Sequence, residues 1–203
     1  MMSLFINGFA WQVFREDKNR ALYVYNLRQE IDKSKDKPDG YKLWVQIRDP
    51  KGFRTTFNSV QSNRNLIESI PVNEDYSNWS EIVTFIFTPQ IHRQASYLVS
   101  YLKGSLTQSL ESSNNKIIFG NFSPKLEIVN QKLVPKNLFK RESFHAKYDY
   151  LKGNEFIAVM YLSGPEDALS IQYTMKLTKT LTEEKAKEKA REFFKNNVLL
   201  YIQ

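Results

Sequence analysis

The run Ile82-Val83-Thr84-Phe85-Ile86-Phe87, near the middle of the chain, constrains the fold more than any other stretch. Apolar side chains stand on both parities of this run. A strand formed here is therefore covered on both faces and belongs at the centre of a sheet. Pro89 ends it. Directly beyond, Ile91, Ala95, Leu98, Leu102, Leu106 and Leu110 recur every three to four residues, which predicts an amphipathic helix over 90–110. Gly104 inside that helix costs it about 1 kcal/mol.

The other elements follow from β-formers and turn chemistry. Phe9–Phe14 and Ala21–Leu27 are short runs of aromatic and β-branched residues with a polar turn between them. The charged segment from Gln29 to Pro38, broken by Pro38-Asp39-Gly40, reads as a loop or a short helical turn. Tyr41–Ile47 alternates, Asp49-Pro50-Lys51-Gly52 is strong turn chemistry, and Phe53–Phe57 returns, so this region predicts a hairpin. Asn58–Ser77 is a polar stretch. After the first helix, Ser112–Asn115 breaks the chain, Lys116–Phe122 reads as a strand, and Leu126–Leu133 reads as a more basic one between Pro124 and Pro135. Ser143–Tyr150, Glu155–Leu162 and Ala168–Leu177 predict a three-stranded meander. The last element is a helix: Thr180 and Thr182 offer caps, Glu183 and Glu184 suit its positive N-terminus, and Ala186, Ala190, Phe193, Phe194 and Leu200 mark its buried side.

Strands, helix, strands, helix, with short links and no βαβ alternation, predict an α+β fold. The expected architecture is an antiparallel β-sheet of roughly seven or more strands with two main amphipathic helices packed on it. The 203 residues suit a single domain spanning 1–203, without internal repeats. With 41% hydrophobic residues, seven Gly and seven Pro, the chain is neither low-complexity nor disordered. The absence of cysteine removes disulfides, thiolate metal sites and thiol nucleophiles. MMSLFINGFAWQVFRED has no basic leader, and no run approaches the ~18–20 apolar residues of a membrane span, so a cytoplasmic location is expected.

Catalytic constellations do not emerge from the spacing. The sequence holds no Walker loop, no GxGxxG after a strand, no GxSxG elbow and no HExxH. The two histidines, His92 and His145, lack a paired carboxylate motif. The acidic pairs Glu16-Asp17, Glu74-Asp75, Glu166-Asp167 and Glu183-Glu184 sit at turns or at a helix start. Ser80 has no adjacent His or Lys to activate it. The expectation is a non-enzymatic protein with no cofactor and no metal.

Charge is the sequence's one asymmetry. The formal net charge is +7, and the 116–147 segment carries Lys116, Lys125, Lys132, Lys136, Lys140, Arg141 and Lys147 against only Glu127 and Glu142. A local positive field attracts an acidic partner. Lys125, Lys132, Lys136, Lys140, Arg141 and Lys147 are the candidate partner-binding residues. Protein is the first expectation for that partner and nucleic acid the second, because Phe119, Phe122, Phe139 and Phe144 interleave with the cations. Outward-facing Trp44, Tyr97, Tyr101, Tyr148 and Tyr150 would supply anchors for a protein interface.

Trp79-Ser80-Glu81-Ile82-Val83-Thr84 ahead of a strand and then a helix, with the Asp-led strand Asp167–Tyr173 before the last helix, resembles small bacterial α+β proteins of specialised secretion systems. In size and in its lack of catalytic groups the chain looks most like the LvgA-like adaptors of the Dot/Icm type IVB coupling complex. That resemblance implies a non-catalytic, chaperone-like subunit docked beside the IcmS–IcmW pair on the tail of the coupling ATPase, where it would help present effectors. It carries over no site residue. The physical reading of Trp79-Ser80-Glu81 is that Ser80 or Glu81 satisfies backbone donors where the chain enters the sheet, while Trp79 closes the end of the core.

Overall fold

The computed structural model describes residues 11–15, 21–27, 43–61, 63–91, 93–113, 115–129, 139–150, 153–164 and 166–202. In chain order the strands are β1 (Trp11–Arg15), β2 (Ala21–Leu27), β3 (Leu43–Arg48), β4 (Phe53–Gln61), β5 (Arg64–Pro71) and β6 (Glu81–Thr88). Helix α1 (Ala95–Glu111) follows, then β7 (Ile117–Asn121), β8 (Glu127–Val129), β9 (Lys140–Tyr150), β10 (Gly153–Ser163) and β11 (Ala168–Lys176). Helix α2 (Glu183–Asn197) leads directly into β12 (Val198–Ile202).

The expected seven-stranded antiparallel sheet is present, in the order β4-β5-β6-β11-β10-β9-β7, with the central strand of the sequence reading, β6, inside it. The meander β9-β10-β11 forms as the three strand runs predict. A second sheet, β1-β2-β3-β12-β8, was not foreseen, and its β8–β12 pair is parallel.

One face of the large sheet packs on the second sheet and on α2. The alternation along β10 shows the division: Phe156, Ala158, Met160 and Leu162 join Tyr23, Tyr25, Val45, Ile47, Ala190 and Phe194 in one core, while Ile157, Val159 and Tyr161 point the other way. There they meet Val99, Leu102 and Leu106 of α1. That second face is hereafter the outer face, and α1 covers it over β7, β9 and β10. Aromatic pairs pin the two sheets together, Tyr23 on Phe85 at 5.2 Å and Tyr25 on Phe87 at 5.4 Å. Such pairs contribute about 0.5–1.5 kcal/mol beyond their buried area.

Several local expectations are corrected. The Asp49–Gly52 turn does not close a hairpin. β3 is already hydrogen-bonded on both sides, to β2 and β12, so β4 has no free edge to pair with and crosses to the other sheet. Asp49, fully buried, fixes the crossing: its N–H donates to Ala21 O, and its Oδ2 accepts from Tyr23 Oη–H at 3.3 Å. Gly52 adopts φ +84°, which only glycine takes without strain. The polar stretch 58–77 holds the end of β4 and all of β5, because only one face of β5 needs apolar residues and Asn65 and Ser69 are buried on it instead. Helix α1 begins at Ala95 rather than at 90, since Gln90 takes φ 56° and its N–H is held by Asp167 Oδ1 at 3.0 Å. The last helix ends at Asn197. Leu200, read as helical, lies in β12, where it pairs with Val45 and Ile128.

Candidate interaction surface

Of the six candidate cations, Lys132 and Lys136 lie outside the described residues. Lys125, Lys140 and Arg141 are exposed; Lys147 is half-buried. Their placement follows from the long strand β9. Lys140 and Arg141 stand at its start, opposite Ser163 and Leu162 of β10, whereas Lys147 stands near its end, opposite Phe156 and Ile118. At ~3.3 Å per residue the two ends lie roughly 20 Å apart. Lys147 also faces α2, where its Nζ lies 3.7 Å from Glu183 Oε2. Lys140 and Arg141, adjacent in the strand, thus project from opposite faces at its start, and Lys147 lies at the far end.

These cations flank an open strand edge. β7 pairs with β9 over Ile117–Asn121 and, among the described residues, has no neighbour on its other side. Lys116 stands at one end of β7, where its carbonyl accepts from Asp149 N–H. Beyond the other end, β9 continues to Arg141 and Lys140, and Ser143 Oγ–H donates to Phe122 O. Between the charges, Ile118 is 64% exposed on the edge strand itself.

The aromatic residues of the basic segment do not form a stacking platform. Phe144 and Phe119 pack under α1, with Lys103 Nζ 4.9 Å and 5.5 Å from their ring centroids. Phe122 is buried against Phe194 at 5.6 Å, and Phe139 packs on the main core. Among the proposed anchors, Tyr97 and Tyr101 do point outward from α1, one turn apart. Tyr148 packs into the α1 core, Trp44 is half-buried, and the Tyr150 side chain lies outside the described set.

His145 has a structural setting. It is buried, stacks on Phe156 at 5.4 Å, and lies directly over Gly120 of β7. Burial foremost, then the Lys187 ammonium, holds its pKa below the ordinary value, against the pull of Glu183 and Glu184. Its imidazole is therefore neutral at pH 7. His92 lies outside the described residues.

Trp79-Ser80-Glu81 also resolves into architecture, with roles different from those expected. The backbone donor at the start of β6 is satisfied by Glu74, whose carboxylate accepts from Ser80 N–H and Ser80 Oγ–H, each at 2.6 Å. Glu81 instead accepts from Tyr173 Oη–H and from Lys189 Nζ, tying the sheet to α2. Burial and the Glu81 carboxylate push the Tyr173 phenol far above its usual range. Trp79 is half-buried, with Lys176 Nζ 4.5 Å over its ring.

Sequence reasoning missed a polar cluster between the sheets. Tyr23 Oη lies 2.6 Å from Thr55 Oγ1 and also meets Asp49 and Ser69, while the Tyr25 hydroxyl and the Asn65 amide are buried without a hydrogen-bond partner among the described residues. No period or motif announces such a group, because each member sits on a different strand. No protein-family model matches the chain, and no curated protein matches it.

Proposed function

We propose that this chain is a non-enzymatic adaptor, a chaperone-like subunit that holds an acidic protein partner at the β7 edge. The observation that carries this is the edge itself: over Ile117–Asn121 one side of β7 has no neighbour among the described residues, Ile118 is exposed on it, and Lys116, Lys140 and Arg141 stand beyond its two ends. An extended partner segment can add to such an edge by main-chain hydrogen bonds, with the flanking cations steering its approach. No helix among the described residues is long and apolar enough to cross a membrane, and the proposed site of action is the cytoplasm.

The two segments that resemble type IVB coupling-complex adaptors are hydrogen-bonded neighbours, β6 and β11, with Phe85 opposite Ile171. Their adjacency supports the narrower proposal of a subunit that works beside an IcmS–IcmW-like pair on a coupling-ATPase tail. Nucleic acid is the second reading, and the burial of Phe119, Phe122 and Phe144 weighs against it.

The test is an affinity capture from the native host with nuclease added and stepwise salt elution, run beside Lys125→Glu/Lys140→Glu/Arg141→Glu. Proteins that survive nuclease, elute with salt and are lost from the variant support the adaptor. Capture of nucleic acid alone, or an on-rate unmoved by salt and by the charge reversal, overturns it.

A further inference from the structure

The opposite edge of the large sheet has the reverse character. β4 is its other border strand, nine residues long, and among the described residues it pairs only with β5. Native edge strands are commonly guarded by lysine, proline, shortness or a bulge. β4 has no lysine and no proline; its one charge, Arg54 near its start, donates to Glu74 O, and its only other such device is an irregularity in the ladder between Thr55 and Phe57. From Thr55 to Gln61 it carries no charge at all. Phe57 and Val60 are 43% and 39% exposed, and Tyr76, held by Glu68 at 2.8 Å, stands exposed beside the same border. Phe57 faces the outer side with its partner Glu68, and Val60 faces the inner side with Asn65, so both faces of the edge present apolar surface.

We propose that β4 is a homotypic interface, where a second copy of this chain lays its own β4 antiparallel and continues the sheet across a two-fold axis. Charge selects this occupant. The run from Thr55 to Gln61 opposes no like charges when laid against itself, whereas like charges directly opposite destabilise a strand pair. An acidic partner of the kind proposed for β7 gains no net attraction here, because Arg54 on the strand is held at Glu74 O and neighboured by Asp75, and Glu68 stands opposite Phe57. A two-fold pairing also closes the assembly, since it uses the same patch on both copies. The dimer keeps one β7 edge at each far end, so this inference stands independently of the adaptor reading.

The two readings part in their response to salt. Two copies of a chain with net charge +7 repel at long range, so raising salt tightens the dimer while weakening an acidic partner's attachment at β7. The experiment is sedimentation equilibrium from micromolar to near-millimolar protein, at low and high salt, on the wild type, Phe57→Lys and Val60→Lys. Both sites are exposed, and thermal melts confirm that the variants fold. A concentration-dependent dimer that tightens with salt and weakens roughly tenfold or more in either variant supports the proposal. The cysteine-free chain allows a site-specific check: Asn58→Cys, its only thiol, forms an oxidation-dependent covalent dimer if the two β4 strands meet. A monomer at every concentration, or a dimer indifferent to both lysines, overturns it.

Discussion

Gly120→Ala tests whether the β7–β9 contact is as tight as the geometry states. A Cβ built on Gly120 lies 2.3 Å from His145 Nε2 and 2.5 Å from its Cε1, far inside contact distance. The ring is not a free side-chain end: it stacks on Phe156 and is buried beside α2. Relief therefore requires β7 to lift from β9 or the ring to leave its place, and overpacking of this kind costs about 1–3 kcal/mol. A ring this confined puts the overpacking cost at about 2–2.5 kcal/mol, and alanine returns about 0.5–1 kcal/mol in backbone entropy over glycine in a strand, leaving a net loss of about 1–2 kcal/mol. For a chain of this size that lowers Tm by roughly 2–8 °C. Urea unfolding followed by circular dichroism measures it, with Gly104→Ala as the control, since nothing lies within 4 Å of a Cβ there and the helix gains stability. Adding His145→Ala removes the obstacle, so the double mutant shows a favourable coupling of about 1 kcal/mol or more. A neutral Gly120→Ala, or strict additivity with His145→Ala, refutes the reasoning.

Three further outcomes follow from groups already described. His145 titrates below its ordinary value in the fold, so between the two values the unfolded chain binds more protons, and stability falls as pH drops below about 6.5, with a slope of at most ~1.4 kcal/mol per pH unit. Urea melts across pH 5 to 8 show this component in the wild type and its loss in His145→Gln. Tyr23→Phe destabilises by about 1–2 kcal/mol through the lost bond to Thr55, whereas Tyr25→Phe, which discards a hydroxyl with no partner among the described residues, is neutral or stabilising by the same assay. Trp79→Ala lowers stability by about 1–2 kcal/mol, less than a fully buried tryptophan would, because the ring is only half-covered and part of its contact is with Lys176; lost partner binding with unchanged melting would show that Trp79 acts at an interface instead.

What the sequence made legible tracks what is local. The double-parity run 82–87, the 91–110 periodicity and the three strand runs of the meander are short-range signals, and they made β6, α1 and β9 to β11 readable, whereas β5 was hidden in the polar stretch 58–77. The second sheet was not, because its pairing depends on β12, whose Val198-Leu199-Leu200 continues the apolar stripe of α2 and looks helical until Asn197 ends it. The supposed hairpin at 49–52 failed for the same reason: turn chemistry fixes a reversal but not the sheet in which the next strand finds an edge. The candidate site was half legible. Clustering in sequence located Lys140 and Arg141, but strand geometry, invisible without pairing partners, carries Lys147 to the far end of β9 and into contact with Glu183.

The position of β12 also sets a schedule for folding. β12 lies between β3 and β8 in the second sheet, with Val198 opposite Ile47 and Leu200 opposite Ile128. During synthesis β1, β2 and β3 emerge well before β12, and one side of β3 stays unpaired until residues 198–202 have followed. Closing a contact across so much of the chain is slow, and the waiting edge is exposed to other chains meanwhile. The second sheet therefore closes only after everything from β4 to α2 has been made, and the folding yield depends on how long nascent β3 stays unengaged.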